Sequence, residues 1–196
     1  MRLWTVQPEE VYKQLMNNGL LKAEISKSEC LEGGNCECFV DAYKWLIEQM
    51  EKRGYNKPKG YEIPWWAWYR LNGKNEITSE IETLCTPGKK FKLLELEVPD
   101  KYVLLSDYDA WHYVLNKWWY DDSTCDEEWE KNRDWFDALP YSEQERLEKE
   151  SWQKIFDIRI RKSEWCNNGL YVQAVFWELK ADYIVRVTDI VGRSDE

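Results

Sequence analysis

The sequence predicts an α+β fold: a small mixed or antiparallel sheet with flanking helices. Three observations carry this. Alternating apolar segments and segments of helical period occur in roughly equal number. They do not alternate strictly along the chain, as a doubly wound parallel sheet would require. A densely acidic helical stretch interrupts them late in the sequence. With 196 residues and 43% hydrophobic composition, the chain is long enough for one domain with its own core. The domain is expected to span 1–196, with an acidic helical insertion at 121–160.

Leu3 to Gln7 reads as a strand, and Pro8 opens a helix where a missing N–H costs nothing. Val11, Leu15 and Met16 share a face of that helix, and Gly19 supplies its stop. Leu20 to Ile25 reads as extended, and Ser26 to Cys38 as loop. A helix from about Phe39 to Arg53 places Phe39, Tyr43, Leu46, Ile47 and Met50 at spacings of three and four, and Gly54 ends it.

Trp65 to Leu71 is an aromatic strand, followed by the turn pair Asn72-Gly73. Residues 73–90 carry no clear period. Phe91 to Val98 alternates Leu94, Leu96 and Val98 against Glu95 and Glu97, and Pro99 breaks it. Tyr102 to Leu105 is a short apolar piece. Ser106 then reads as the N-cap, with Asp109 at the third position, of a helix reaching about Trp118. Pro140 splits the acidic block into two helices, the second capped by Ser142 and continuing to about Ile158. Leu170 to Leu179 and Ile184 to Ile190 complete the set as strands.

Charge and composition exclude several functions. The formal charge is −10, which disfavours an extended phosphate-binding surface. The excess is local: twelve acids against four bases put −8 of it in residues 121–150. A basic protein partner for that block, or simple solvation of it, both follow from this charge. The nearly neutral remainder leaves room for a nucleotide or a nucleic-acid end. One His rules out a His-pair metal site. No apolar run reaches the roughly 18 residues of a membrane span, and no secretory h-region opens the chain. The reading is therefore a cytoplasmic protein whose six Cys are reduced thiols. Cys30, Cys36, Cys38 and Cys166 do not match the paired spacing of a zinc site, and no metal is expected.

No phosphate-binding glycine loop, zincin or nucleophile-elbow motif occurs. The candidate chemistry rests on three segments instead. In Trp65-Trp66-Ala67-Trp68-Tyr69-Arg70, a strand would turn Trp66, Trp68 and Arg70 one way. That face can stack a planar base and hold a phosphate, or it can be an aromatic core with Arg70 at the rim. In Ser106 to His112, the single His stands near Asp107 and Asp109. It is either a proton carrier or substrate hydrogen-bonder, or a packing residue beside capping aspartates. Gln173 lies among apolar strand residues, where its amide must find partners in a ligand, the protein or solvent. Gln7 has the same alternatives.

The stretches Leu3 to Gln7, Trp66 to Arg70, Leu94 to Val98, Ser106 to His112 and Val172 to Trp177 resemble an uncharacterised bacterial and phage domain-of-unknown-function family. The opening strand, helix and glycine, with the pair Val172 to Phe176 and Ile184 to Val187, also resemble the ADP-ribosyltransferase fold. That resemblance implies an NAD-dependent transferase or a nucleotide-binding protein. It implies catalytic positions at Thr5 and Gln173 and a ring-stacking position at Tyr69 or a neighbouring Trp; the residues' own chemistry adds His112 to the catalytic candidates and Gln7, Trp66, Trp68 and Arg70 to the cofactor-binding ones. Thr5 stands where that fold carries His or Arg, and Gln173 where it carries Glu. An aromatic ligand-binding module without catalysis, and a non-enzymatic interaction protein using the acidic block, are the competing readings.

Overall fold

Every registered strand pairing is antiparallel. In the computed structural model, which describes residues 1–27, 37–76, 79–121, 123–161 and 169–193, six strands form one sheet. They are β1 (Arg2–Gln7), β3 (Trp65–Arg70), β4 (Lys90–Glu97), β5 (Leu104–Asp107), β6 (Val172–Phe176) and β8 (Ile184–Val191), in the order β5-β6-β3-β1-β4-β8. Two further short strands, β2 (Leu20–Leu21) and β7 (Leu179–Lys180), pair as a separate ribbon. The helices are α1 (Glu9–Asn18), α2 (Glu37–Lys52), α3 (Tyr108–Leu115), α4 (Asp126–Asp137) and α5 (Tyr141–Ser151). The fold is α+β.

Side-chain alternation gives the sheet two covered faces. On one face Leu3, Leu94, Leu96, Ala67, Ala174 and Phe176 pack with Leu15 of α1 and Leu179 of β7. On the other, Leu104, Val175 and Trp66 meet α2 and α3 through Leu46, Met50, Trp111 and Val114. Beside them Trp4, Leu93 and Ile190 are covered by Ile81 and Cys85, from the stretch that carries no period in the sequence. The register runs one row across the whole sheet: Ser106, Gln173, Trp68, Trp4, Glu95, Arg186.

Several local expectations shift. Pro8 takes the N-cap position and Glu9 begins α1, while Gly19 closes it in the left-handed conformation that favours glycine, with its amide on the Leu15 carbonyl at 2.8 Å. Met16 is exposed rather than inward. The N-cap of α3 is Asp107, not Ser106: its carboxylate accepts the Ala110 amide at 2.8 Å, and Ser106 belongs to β5. That helix ends at Leu115, with Lys117 in the left-handed region, three residues before Trp118. Pro140, not Ser142, occupies the N-cap of α5. The Asn72-Gly73 turn forms as expected, with Leu71 and Lys74 exchanging backbone hydrogen bonds at 3.0 and 2.9 Å.

Within the acidic region the two helices differ. α4 buries none of its residues, and Trp129 and Trp135 on it are exposed. Beyond α5 the chain tightens into a short 3₁₀ helix, Trp152–Phe156, which carries Trp152 and Ile155 into the core beside α2 and α3. The bases of α5 are occupied by its own acids: Arg146 bonds Glu143 and Glu150, and Lys149 bonds Glu145. No helix among the described residues is long and apolar enough to cross a membrane.

Candidate functional site in the sheet opening

Strands β1 and β3 share one registered rung, Trp4 opposite Trp68. Each continues along its other neighbour, β1 to Gln7 opposite Lys92 and β3 back to Trp65 opposite Phe176. The two halves of the sheet therefore separate toward Gln7 and Trp65. At the opening the Thr5 hydroxyl donates to the Trp66 carbonyl at 3.1 Å and accepts from Gln7 Nε2 at 2.8 Å. A side chain thus holds a carbonyl that no ladder amide reaches.

A cleft of about 680 Å³ occupies this opening. Thr5, Gln7, Trp66, Trp68 and Gln173 all line it. Thr5 and Gln7 alternate to one face of β1, and Trp66, Trp68 and Gln173 to the opposite face of the sheet. They border one space because the gap passes between the strands. Residues that the sequence did not mark as site candidates complete the lining, among them Gln14, Lys22, Glu24, Tyr43 and Phe91. For Gln14 a signal existed: it lies three residues after Val11 on α1. Lys22 and Glu24 follow the β2 strand in a segment with no motif.

The polar groups of this wall are unevenly satisfied. Gln173 makes no side-chain hydrogen bond among the described residues. Among the described residues, buried Trp66 Nε1 has no acceptor, and the buried Ser106 hydroxyl that neighbours Gln173 in the row has no partner. The Trp66 ring is fixed edge-on to Tyr43, with centroids 6.1 Å apart, and tilted against Trp111 at 5.4 Å.

Three predicted residues lie outside the cleft. The β3–β6 register shifts between Trp68 and Arg70, so Arg70 does not continue the Trp66 and Trp68 face. Its guanidinium donates to the Ile158 and Gly169 carbonyls at 2.9 and 2.7 Å. These bonds clamp the segment entering β6. Tyr69 packs on the Leu3 and Ala174 side of the sheet, away from the position of a stacking ring. The His112 ring sits on Tyr108 at 4.9 Å, with Nδ1 3.0 Å from the Tyr108 carbonyl. Tyr108 in turn meets Trp68 at 5.1 Å, so His112 is one ring removed from the cleft wall.

Asp107 is fully buried and explains the local design. It accepts from the Ala110 and Gly169 amides. Burial pushes its carboxyl upward, against those backbone bonds and the Arg70 charge. Asp107 and Arg70 thus grip the two backbone groups of Gly169. The Cys85 thiol donates to the Ile81 carbonyl at 3.2 Å, and burial raises its pKa. Cys30, Cys36 and Cys166 lie outside the described residues, as does the Cys38 side chain. Among the described residues no group of His, Cys, Asp and Glu is arranged to hold a metal.

The sequence profile of DUF3841, a domain of unknown function, matches residues 2–185. The chain belongs to this family. No curated protein matches it, and no solved structure does. The cleft of this DUF3841 chain is therefore read from its own residues.

Proposed function

We propose that this DUF3841 chain binds a nucleotide-like small molecule in the cleft between β1 and β3, with NAD as the cofactor class to test first. The observation that carries this reading is the meeting of Thr5, Gln7, Trp66, Trp68 and Gln173 around one opening. Indole faces favour a planar ring, and side-chain amides and hydroxyls suit the hydroxyl or amide edge of a nucleoside.

The charge of the lining sharpens the ligand class. Lys22 and Glu24 are the charged residues among those that line the cleft, so the nucleoside portion supplies most of the recognition and Lys22 meets a phosphate. Gln173 can hold a ribose hydroxyl, but an amide gives no negative charge to an oxocarbenium-like state. The reading is accordingly binding rather than ADP-ribosyl transfer.

Titration of the full chain with NAD, nicotinamide mononucleotide and adenosine, followed by tryptophan fluorescence and calorimetry, tests it. At least one should bind, and Gln173→Ala should weaken that binding by roughly tenfold while the circular dichroism spectrum is unchanged. Absence of binding by all three, or an unaltered affinity in a folded Gln173→Ala, overturns the reading. Transfer of label from NAD to protein or nucleic acid would overturn its restriction to binding.

A further inference from the structure

A second cavity, of about 600 Å³, opens beside the cleft and shares Trp68 and Leu84 with it. Three of its walls are aromatic, Trp68, Tyr108 and Tyr171, and two carboxylates, Glu80 and Asp109, stand among them. Tyr108 and Trp68 meet at an interplanar angle of 62°, so their rings border the space in different planes. The Tyr171 hydroxyl donates to Glu80 at 2.6 Å, which fixes both groups.

The charges do not cancel. Arg193 also lines the cavity, but Glu82 pairs with it at 2.7 Å. Asp109 has no ion-pair partner among the described residues. The Tyr171 phenol registers the resulting negative field: the Glu80 hydrogen bond, then burial, then the Glu80 and Asp109 charges push it up to about 12. Asp109 is itself raised, by desolvation first and by the Asp107 charge second. Both carboxylates would be stabilised by a cation in the space between them.

We propose that this aromatic, doubly acidic cavity binds a small organic cation of the alkylated ammonium class. Ring faces attract such a cation through their quadrupoles, most strongly when it is partly desolvated. The carboxylates add direct charge complementarity and repel anions. An inorganic cation is less suited, because the walls are rings and not a shell of oxygen ligands. The site rests on its own residues and not on the nucleotide reading; Trp68 is the wall common to both.

The test is calorimetric titration of the full chain with choline and with its neutral tert-butyl isostere, which has the same shape without the charge. Choline should bind at least about tenfold more tightly than the isostere. Asp109→Asn, at an exposed position in the first turn of α3, should weaken choline several-fold. Gln173→Ala should leave it unchanged, so failure of the cleft and failure of the cation site are separable. No choline binding, equal binding of the isostere, or indifference to Asp109→Asn each overturns the proposal.

Discussion

The Thr5 hydroxyl donates to the Trp66 carbonyl across the opening between β1 and β3. Thr5 is buried, and it also accepts from Gln7 Nε2. Its role is to hold the edge of the opening. Thr5→Val keeps the shape and removes the hydroxyl, leaving the Trp66 carbonyl without that donor. The expected loss is about 1–3 kcal/mol, measured by the denaturant midpoint, with Thr5→Ser close to the parent. A Val variant as stable as the parent would show that this bond does not brace the opening.

The elements legible in the sequence are those with local causes. Pro8 and Gly19 bracket α1, the three-and-four spacing marks α2, aromatic content marks β3, and period two marks β4. Short-range alternation also predicts that Trp66 and Trp68 share a face, and Gln173 joins them through the β3–β6 register. Non-local pairing is what the sequence conceals. The β2–β7 ribbon has two residues per strand, too few for any period. The shift at Arg70 depends on carbonyls of Ile158 and Gly169, about ninety or more positions away. The cleft itself exists because β1 and β3 separate after one rung, so opposite faces of two strands border one space. No alternation pattern within either strand reports that separation.

The Arg70 and Asp107 grip on Gly169 predicts intolerance there. Gly169 has φ +80°, and an added Cβ would stand 2.6 Å from the Arg159 carbonyl oxygen. Backbone rather than a flexible side chain fills that space, so the chain must shift. Gly169→Ala should therefore destabilise by about 2 kcal/mol or more, strain and clash combined. Thermal unfolding of this variant beside Gly19→Ala separates the two causes. Gly19 has a similar φ of +74° but nothing within 4 Å of an added Cβ. Equal losses at the two positions would count against the grip.

Tyr171 gives a signed pH prediction. Its folded pKa is raised from 10.0 to about 12, first by the Glu80 hydrogen bond. Below pH 10 the phenol is neutral in folded and unfolded chains alike, and its contribution is fully present. Between about 10 and 12 the unfolded chain releases a proton that the folded chain retains, so stability falls as pH rises. Tyr171→Phe removes this proton and should flatten that part of the profile. The measurement is the difference in unfolding free energy between parent and variant across pH 9.5 to 12, about the window set by the two pKa values. A pH-independent difference would mean that Glu80 does not hold the phenol.

The two parts of the acidic region should respond to truncation of Trp by very different amounts. Trp152 is buried, lies edge-on to Trp45 with centroids 5.6 Å apart, and donates to the Trp118 carbonyl at 2.8 Å. Trp152→Ala removes a large core side chain and strands that carbonyl, and should cost about 3–5 kcal/mol. Trp129 is exposed on a helix that buries none of its residues, and Arg133 lies over its ring at 4.5 Å. Trp129→Ala should cost no more than about 1 kcal/mol. Chemical unfolding of both variants decides how the acidic region is built. A large loss at Trp129 would make α4 part of the cooperative core. A small loss at Trp152 would detach the 3₁₀ helix that follows α5 from that core.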